Sequence, residues 1–317
     1  MYQRKGSYLS SAGKTYSVPS RDNNINFLRF IAASLVIWFH MASLLAIPEP
    51  YIMGQGLGPI AVNIFFVLSG YLIAKSWTRS SSFGSYLIRR IARIFPGLAV
   101  VILLSVFVMG PIVTSLPLGD YYADAGTWKY LSLIVLAPIS NVLPGVFDAN
   151  PLPYAVNGSL WTLRYEFLAY LLTPLLYAAT KKLCGGRKLV FAVVLAVLVL
   201  VHFLSYSGLY PLPKVLDNLF RLFAYYMAGV AVLELGLDKY CDSQFAVVTL
   251  LVIIVFRDQV GIFSSLIMFV CVCTFTLGFS LTSNPRFAPC FKKNDYSYGI
   301  YIYAFPIQQC VVWLGGA

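Results

Sequence analysis

Apolar runs of about twenty residues, separated by short polar and basic segments, recur along this chain from residue 26 to its end. A run of that length crosses a ~30 Å hydrocarbon core as a helix. The pattern therefore predicts spans at about 26–47, 58–77, 94–116, 158–180, 189–206, 219–237, 244–256, 260–282 and 296–316. A shorter apolar piece, YLSLIVLAPIS at 130–140, is ambiguous by pattern alone. Residues 1–24 are polar, basic and Ser-rich, and the apolar run behind them is too long for a signal-peptide core. They are expected to form a disordered cytoplasmic tail ahead of one transmembrane domain, 25–317. The predicted class is an all-α polytopic membrane protein folded as one helical bundle.

Charge decides the ambiguous piece. With a cytoplasmic N-terminus and 130–140 not crossing, 17 Lys and Arg fall inside and four outside (Lys129, Lys214, Arg221 and Arg257). If the piece crossed, every later segment would invert and the split would be 12 against 9. The positive-inside rule favours the first arrangement, with 117–157 a long outer loop. It also accounts for the net charge of +11 without a nucleic-acid partner, since the positives sit between apolar runs. Nine spans then remain, and because the chain ends as the ninth emerges, a tenth and final helix is expected to be missing. The six cysteines form no CxxC pair and read as small apolar filler; no metal is expected.

Against this apolar background a few polar residues stand out. The first span, NFLRFIAASLVIWFHMASLL, carries Arg29 and His40. Eleven residues make about 1,100°, close to three full turns, so both project from one face about 16 Å apart along the axis. Charged residues inside a span are expensive and usually functional, although an arginine near the helix end can also snorkel to the headgroups. The second span contains Ser69–Gly70, small residues that permit close helix approach. After it, YLIRRIARIFP brings Arg89, Arg90 and Arg93 together at the cytoplasmic surface. These can orient the protein and anchor it to anionic lipid, or hold phosphates through their planar forks. In NGSLWTLRYEFLAYLL, Ser159, Thr162 and Glu166 share one face; a buried carboxylate needs a partner, and Arg164, Arg29 and His40 are the choices. The last span, with Tyr298, Tyr301, Tyr303, Gln308 and Gln309, is unusually polar and aromatic. His202 is expected at the membrane interface, without a role.

Taken in order, Arg29 and His40 in R-x10-H spacing, FFVLSGYLI from Phe65, RRIARIFP from Arg89, SLWTLRYE from Ser159 and SYGIYIYAFP from Ser297 resemble the membrane-bound acyltransferase 3 family. The resemblance covers about residues 24–313. It implies ten core helices with both ends cytoplasmic, in a bacterial inner membrane, and O-acylation of exported or surface carbohydrates such as exopolysaccharides. The implied donor is an acyl-CoA, most simply acetyl-CoA, with its phosphates on Arg89, Arg90 and Arg93 and its thioester reaching inward past Arg29. His40 would act as general base on a sugar hydroxyl or carry the acyl group, an imidazole's usual pKa of about 6.5 suiting proton transfer. Glu166 would orient that imidazole, and Ser69, Trp161 and Tyr301 would line the passage. Many relatives have a histidine where this chain has Ala304, so His40 is expected to act without a second one. The competing readings are a transporter or flippase, in which the same polar residues line a permeation path, and a non-catalytic component of an export complex. Neither paired repeats nor matched broken helices are visible.

Overall fold

A computed structural model describes residues 23–137, 142–180, 186–258, 261–282, 291 and 295–315, plus two short paired strands, Ser7–Leu9 and Thr15–Ser17, in the segment expected to be a loose tail. Nine long helices are present among the described residues: α1 (Ile25–Leu44), α2 (Leu57–Thr78), α3 (Phe83–Leu104), α4 (Trp161–Thr180), α5 (Arg187–Tyr206), α6 (Lys214–Leu235), α7 (Ser243–Phe256), α8 (Ser264–Leu281) and α9 (Ser297–Gly315). Six segments, built on α1, α2, α3, α5, α6 and α8, are long and apolar enough to cross a membrane. The expected count of nine or ten spans is not established. Helix α7 has only 14 residues, while α4 and α9 have the length but carry polar side chains. Those side chains are largely turned inward: Ser297, Tyr301, Gln308 and Gln309 of α9 are all buried.

Helix α3 starts earlier than its apolar run, at Phe83, capped by the Ser82 side chain accepting from Ser85 N–H. The three arginines therefore lie on the helix itself. It continues through a π turn, Ser105–Met109, into Gly110–Val113. The freed carbonyl of Val106 is met by the Tyr121 hydroxyl at 2.9 Å, which pins the following loop against the turn. The ambiguous apolar piece forms only a five-residue 3₁₀ helix, Leu131–Val135, with Leu136 in the left-handed region at φ 59°; residues 138–140 lie outside those described.

Helix α2 is the centre of the bundle and packs against α1, α4, α6 and α8. Its contact with α6 is made by two glycines: a Cβ at Gly70 would stand 1.9 Å from the Tyr226 carbonyl oxygen, and one at Gly229 2.1 Å from that of Val67. Small residues let the two backbones meet, which is the dominant way helices associate in lipid. Because the obstacle is backbone, Gly70→Ala should lower the stability of detergent-solubilised protein by about 1–3 kcal/mol or more, read as a drop in melting temperature. A melting temperature equal to wild type would show that α2 and α6 can separate freely.

Prolines interrupt α4 and α9, and each missing N–H leaves a carbonyl four residues earlier without its helical partner. Pro174 frees the Tyr170 carbonyl, which accepts from the Tyr86 hydroxyl of α3 at 2.8 Å. Pro306 frees the Ile302 carbonyl, which accepts from the Asn157 side chain at 2.8 Å. The second of these bonds fixes the segment leading into α4.

Candidate active site

Three cavities follow one another through the bundle. The first, about 660 Å³, is bordered by Arg29, Arg89, Arg90 and Arg93, with Ser69 and a single carboxylate, Asp295. The last, about 490 Å³, holds His40 and Trp161. Between them lies a waist of only about 30 Å³ containing Arg29, Glu166, Thr162 and Tyr301. Arg29 and Tyr298 belong to both the first cavity and the waist; Val62 and Tyr301 belong to both the waist and the last cavity. The helical pitch thus separates Arg29 and His40 on one face of α1, and each faces a different chamber.

Arg29 does not merely snorkel. Its Nε lies 3.2 Å from Asp295 Oδ2 and donates to Ser297 Oγ at 3.1 Å, while the guanidinium stands 5.5 Å from the Phe65 ring centre. Arg93 pairs with the same carboxylate oxygen at 2.7 Å. The other carboxylate oxygen of Asp295 accepts from the Ser297 backbone N–H and hydroxyl. One carboxylate therefore joins α1, α3 and the start of α9. Burial alone would raise the Asp295 carboxyl, but Arg29 and Arg93 hold it at about 2 instead of 3.8. Sequence reasoning missed Asp295 because it sits outside any span, in a polar stretch where an acid attracts no notice.

The other two arginines are freer. Arg89 is exposed and donates to the hydroxyls of Ser80 and Ser85. Arg90 lies over the rings of Tyr86 and Tyr170, at 5.8 and 5.9 Å, and makes no ion pair among the described residues. The three arginines do converge with Arg29 on one chamber, but Arg93 is engaged within the protein.

Glu166 is placed differently from the expectation that it orients His40. It accepts hydrogen bonds from the Ser69 hydroxyl at 3.2 Å and from the Tyr170 hydroxyl, and lies at the waist rather than in the chamber of His40. The polar neighbour of the imidazole is Ser159, whose Oγ is 3.5 Å from His40 Nδ1. Ser159 is in turn held by its backbone N–H donating to Asn157 Oδ1 at 3.1 Å, and Asn157 is the residue anchored on the carbonyl that Pro306 frees. The edge of the imidazole packs against Phe305, 4.8 Å between ring centres. The AFP stretch of α9 thus sets the imidazole twice, through the Phe305 ring and through the Pro306 break. Thr162 and Tyr301 share a hydrogen bond of 2.7 Å across the waist.

His202, expected at an interface, is buried between Tyr206 and Tyr225. No grouping of His, Cys, Asp and Glu suited to a metal ion exists among the described residues.

Comparison with known proteins places this geometry in context. Residues 22–312 match the model of the acyltransferase 3 family, described as an acyltransferase domain. The chain is 33% identical over 299 residues to an O-acetyl transferase of Shigella phage Sf6, covering 92% of this chain and 86% of that protein. It is 28% identical over 182 residues to Nodulation protein 10 of Rhizobium leguminosarum bv. viciae, covering 54% and 48%. It is 31% identical over 191 residues to the peptidoglycan O-acetyltransferase OatA of Listeria monocytogenes, covering 56% and 27%. No solved structure matches the chain.

Proposed function

Since the chain belongs to the acyltransferase 3 family and is a multi-pass membrane O-acyltransferase, we propose that it moves an acetyl group from cytoplasmic acetyl-CoA to a hydroxyl of an exported or surface carbohydrate. The observation that carries this reading is the row of cavities, basic at one end and holding the imidazole at the other. Four guanidiniums against one carboxylate suit the phosphates of a coenzyme A donor, which Arg89 and Arg90 grip with groups not committed to ion pairs. A waist this tight, about 30 Å³, admits the thioester arm only when the Thr162–Tyr301 bond opens.

This reading assigns His40 the tautomer with its proton on Nδ1, facing Ser159 Oγ at 3.5 Å, which leaves the Nε2 lone pair for the acceptor. His40 takes the hydroxyl proton as the sugar oxygen attacks the thioester carbonyl. The C–O bond forms, the C–S bond breaks, and the departing coenzyme A thiolate takes up the proton that the imidazolium gives back, which returns His40 to its neutral form. Arg29, at the junction of the first two cavities, draws the thioester end inward, and Trp161 gives the sugar ring a flat apolar face.

Membranes containing the protein should transfer label from radiolabelled acetyl-CoA to exported glycan. Arg89→Gln with Arg90→Gln leaves the Arg93–Asp295 pair intact, and should raise the donor KM on the order of tenfold for each guanidinium lost. A donor dependence equal to wild type would detach these residues from donor binding. Absence of any label transfer to glycan would overturn the assignment of donor and acceptor.

A further inference from the structure

The chamber of His40 is charged in a way that a neutral sugar does not require. Arg164, Lys214 and Arg221 all border it, and among the described residues no carboxylate does. These three come from two elements, α4 and α6, and are not drawn together by a shared acid. Arg164 donates to the Trp161 carbonyl at 3.2 Å and lies over the Tyr165 ring. Arg221 donates to the side-chain oxygens of Asn63 at 2.8 Å and Asn218 at 3.0 Å, both neutral acceptors. Lys214 is exposed, at the first turn of α6, where the helix dipole adds further positive potential. None of the three forms an ion pair among the described residues.

The acids on neighbouring elements stand back from the chamber wall, although Asp217 acts on Arg221 through space. Asp217, one turn before Arg221, accepts from Ser205 of α5, and Glu49 packs beside Gly56; neither borders the cavity. Lys214 and Arg221 are also two of only four cations that the charge pattern leaves on the sparsely basic side of the chain. A guanidinium taken from water without a counter-charge is unfavourable unless an anion arrives to pair with it. Asparagine carboxamides orient the Arg221 fork without discharging it, and Asp217, one turn away, acts on it through space without bonding to it.

We propose that this chamber is an oxyanion site, and that the acceptor is an acidic carbohydrate whose carboxylate or phosphate sits on Arg164, Lys214 and Arg221 beside His40. The inference rests on the acyltransferase reading for the word acceptor, but the site itself is tested by binding alone. An anion held here fixes which hydroxyl faces the imidazole, so the cations act as specificity determinants.

The test uses full-length protein in nanodiscs of neutral lipid, with coenzyme A at saturation to occupy the arginines of the first cavity, and follows its melting temperature with three probes: glucuronate, inorganic pyrophosphate and methyl glucoside. Glucuronate or pyrophosphate should raise the melting temperature and methyl glucoside should not; which of the two acts separates a sugar carboxylate from a phosphate-bearing carrier. Arg164→Gln with Lys214→Gln removes two charges without touching the Arg221–Asn63 bonds, and should weaken the apparent affinity on the order of tenfold or more. Anion shifts no larger than that of methyl glucoside would overturn the proposal, as would shifts that persist in the Arg164/Lys214 variant. Neither result depends on acetyl transfer, so failure here and failure of the label-transfer experiment are separate outcomes.

Discussion

Replacing His40 by Ala should leave a protein that accumulates in membranes like wild type and transfers acetyl groups on the order of 10²–10⁴-fold more slowly. The imidazole is packed against Phe39 and Phe305 and forms no ion pair among the described residues, so its removal strands no charge. Ser159→Ala should lose much less, on the order of tenfold, because it removes only the group that holds the tautomer. Asn157→Ala should fall between them and also weaken folding, since it leaves the Ile302 carbonyl unmet at the Pro306 break. The readout is label in the glycan per unit of membrane protein. Wild-type labelling by His40→Ala membranes would remove the imidazole from the reaction.

The second large effect should come from a residue that touches neither His40 nor its chamber. Asp295→Asn leaves the guanidiniums of Arg29 and Arg93 side by side without their shared carboxylate, and Arg29 has only 8% of its side chain exposed. Breaking a buried pair in this way is worth about 3–5 kcal/mol, seen as a large fall in melting temperature. Adding Arg93→Gln removes one of the stranded charges and should restore part of the loss. The pH dependence has a definite sign. A carboxyl depressed on folding adds stability that is complete above its unfolded pKa and disappears as pH falls through the folded one. With the Asp295 value near 2 against 3.8, wild type should shed about 2 kcal/mol from this group between about pH 4 and pH 2. The Asp295→Asn variant should show no such component. A variant that melts with wild type at neutral pH would mean that the three helices are held by other contacts.

What the sequence made legible follows from period and from price. The Arg29–His40 face was visible because 3.6 residues per turn places them together, and their presence in an apolar run signalled use. The extent of α3 was not visible, because apolarity marks where lipid begins and not where the helix does; its first turns are basic and amphipathic. Helix α9 was expected from its apolar run and a helix is found there, but its buried tyrosines and glutamines, which make its inner face, leave it outside the six segments apolar enough to cross a membrane. Partners were the hardest to read. Glu166 and His40 are the expensive groups of two helices, so pairing them was economical, yet the fold gives Glu166 the hydroxyls of Ser69 and Tyr170 and gives His40 that of Ser159. Hydroxyls are cheap to bury and leave no mark in composition. Asn157 illustrates the same limit: its value depends on a carbonyl freed by a proline 149 positions later, Pro306, a relation that no local window contains.

The narrowness of the waist has an electrical meaning. A bundle pierced from end to end by water would shunt the membrane, and every turnover would leak protons and salt down their gradients. The waist has far less room than the chambers on either side, about 30 Å³ against about 660 and 490 Å³, so it is the point at which a hydrated ion meets the tightest passage. On the proposed reading, an acyl group is handed across such a gap while the passage of hydrated ions is restricted at the same point.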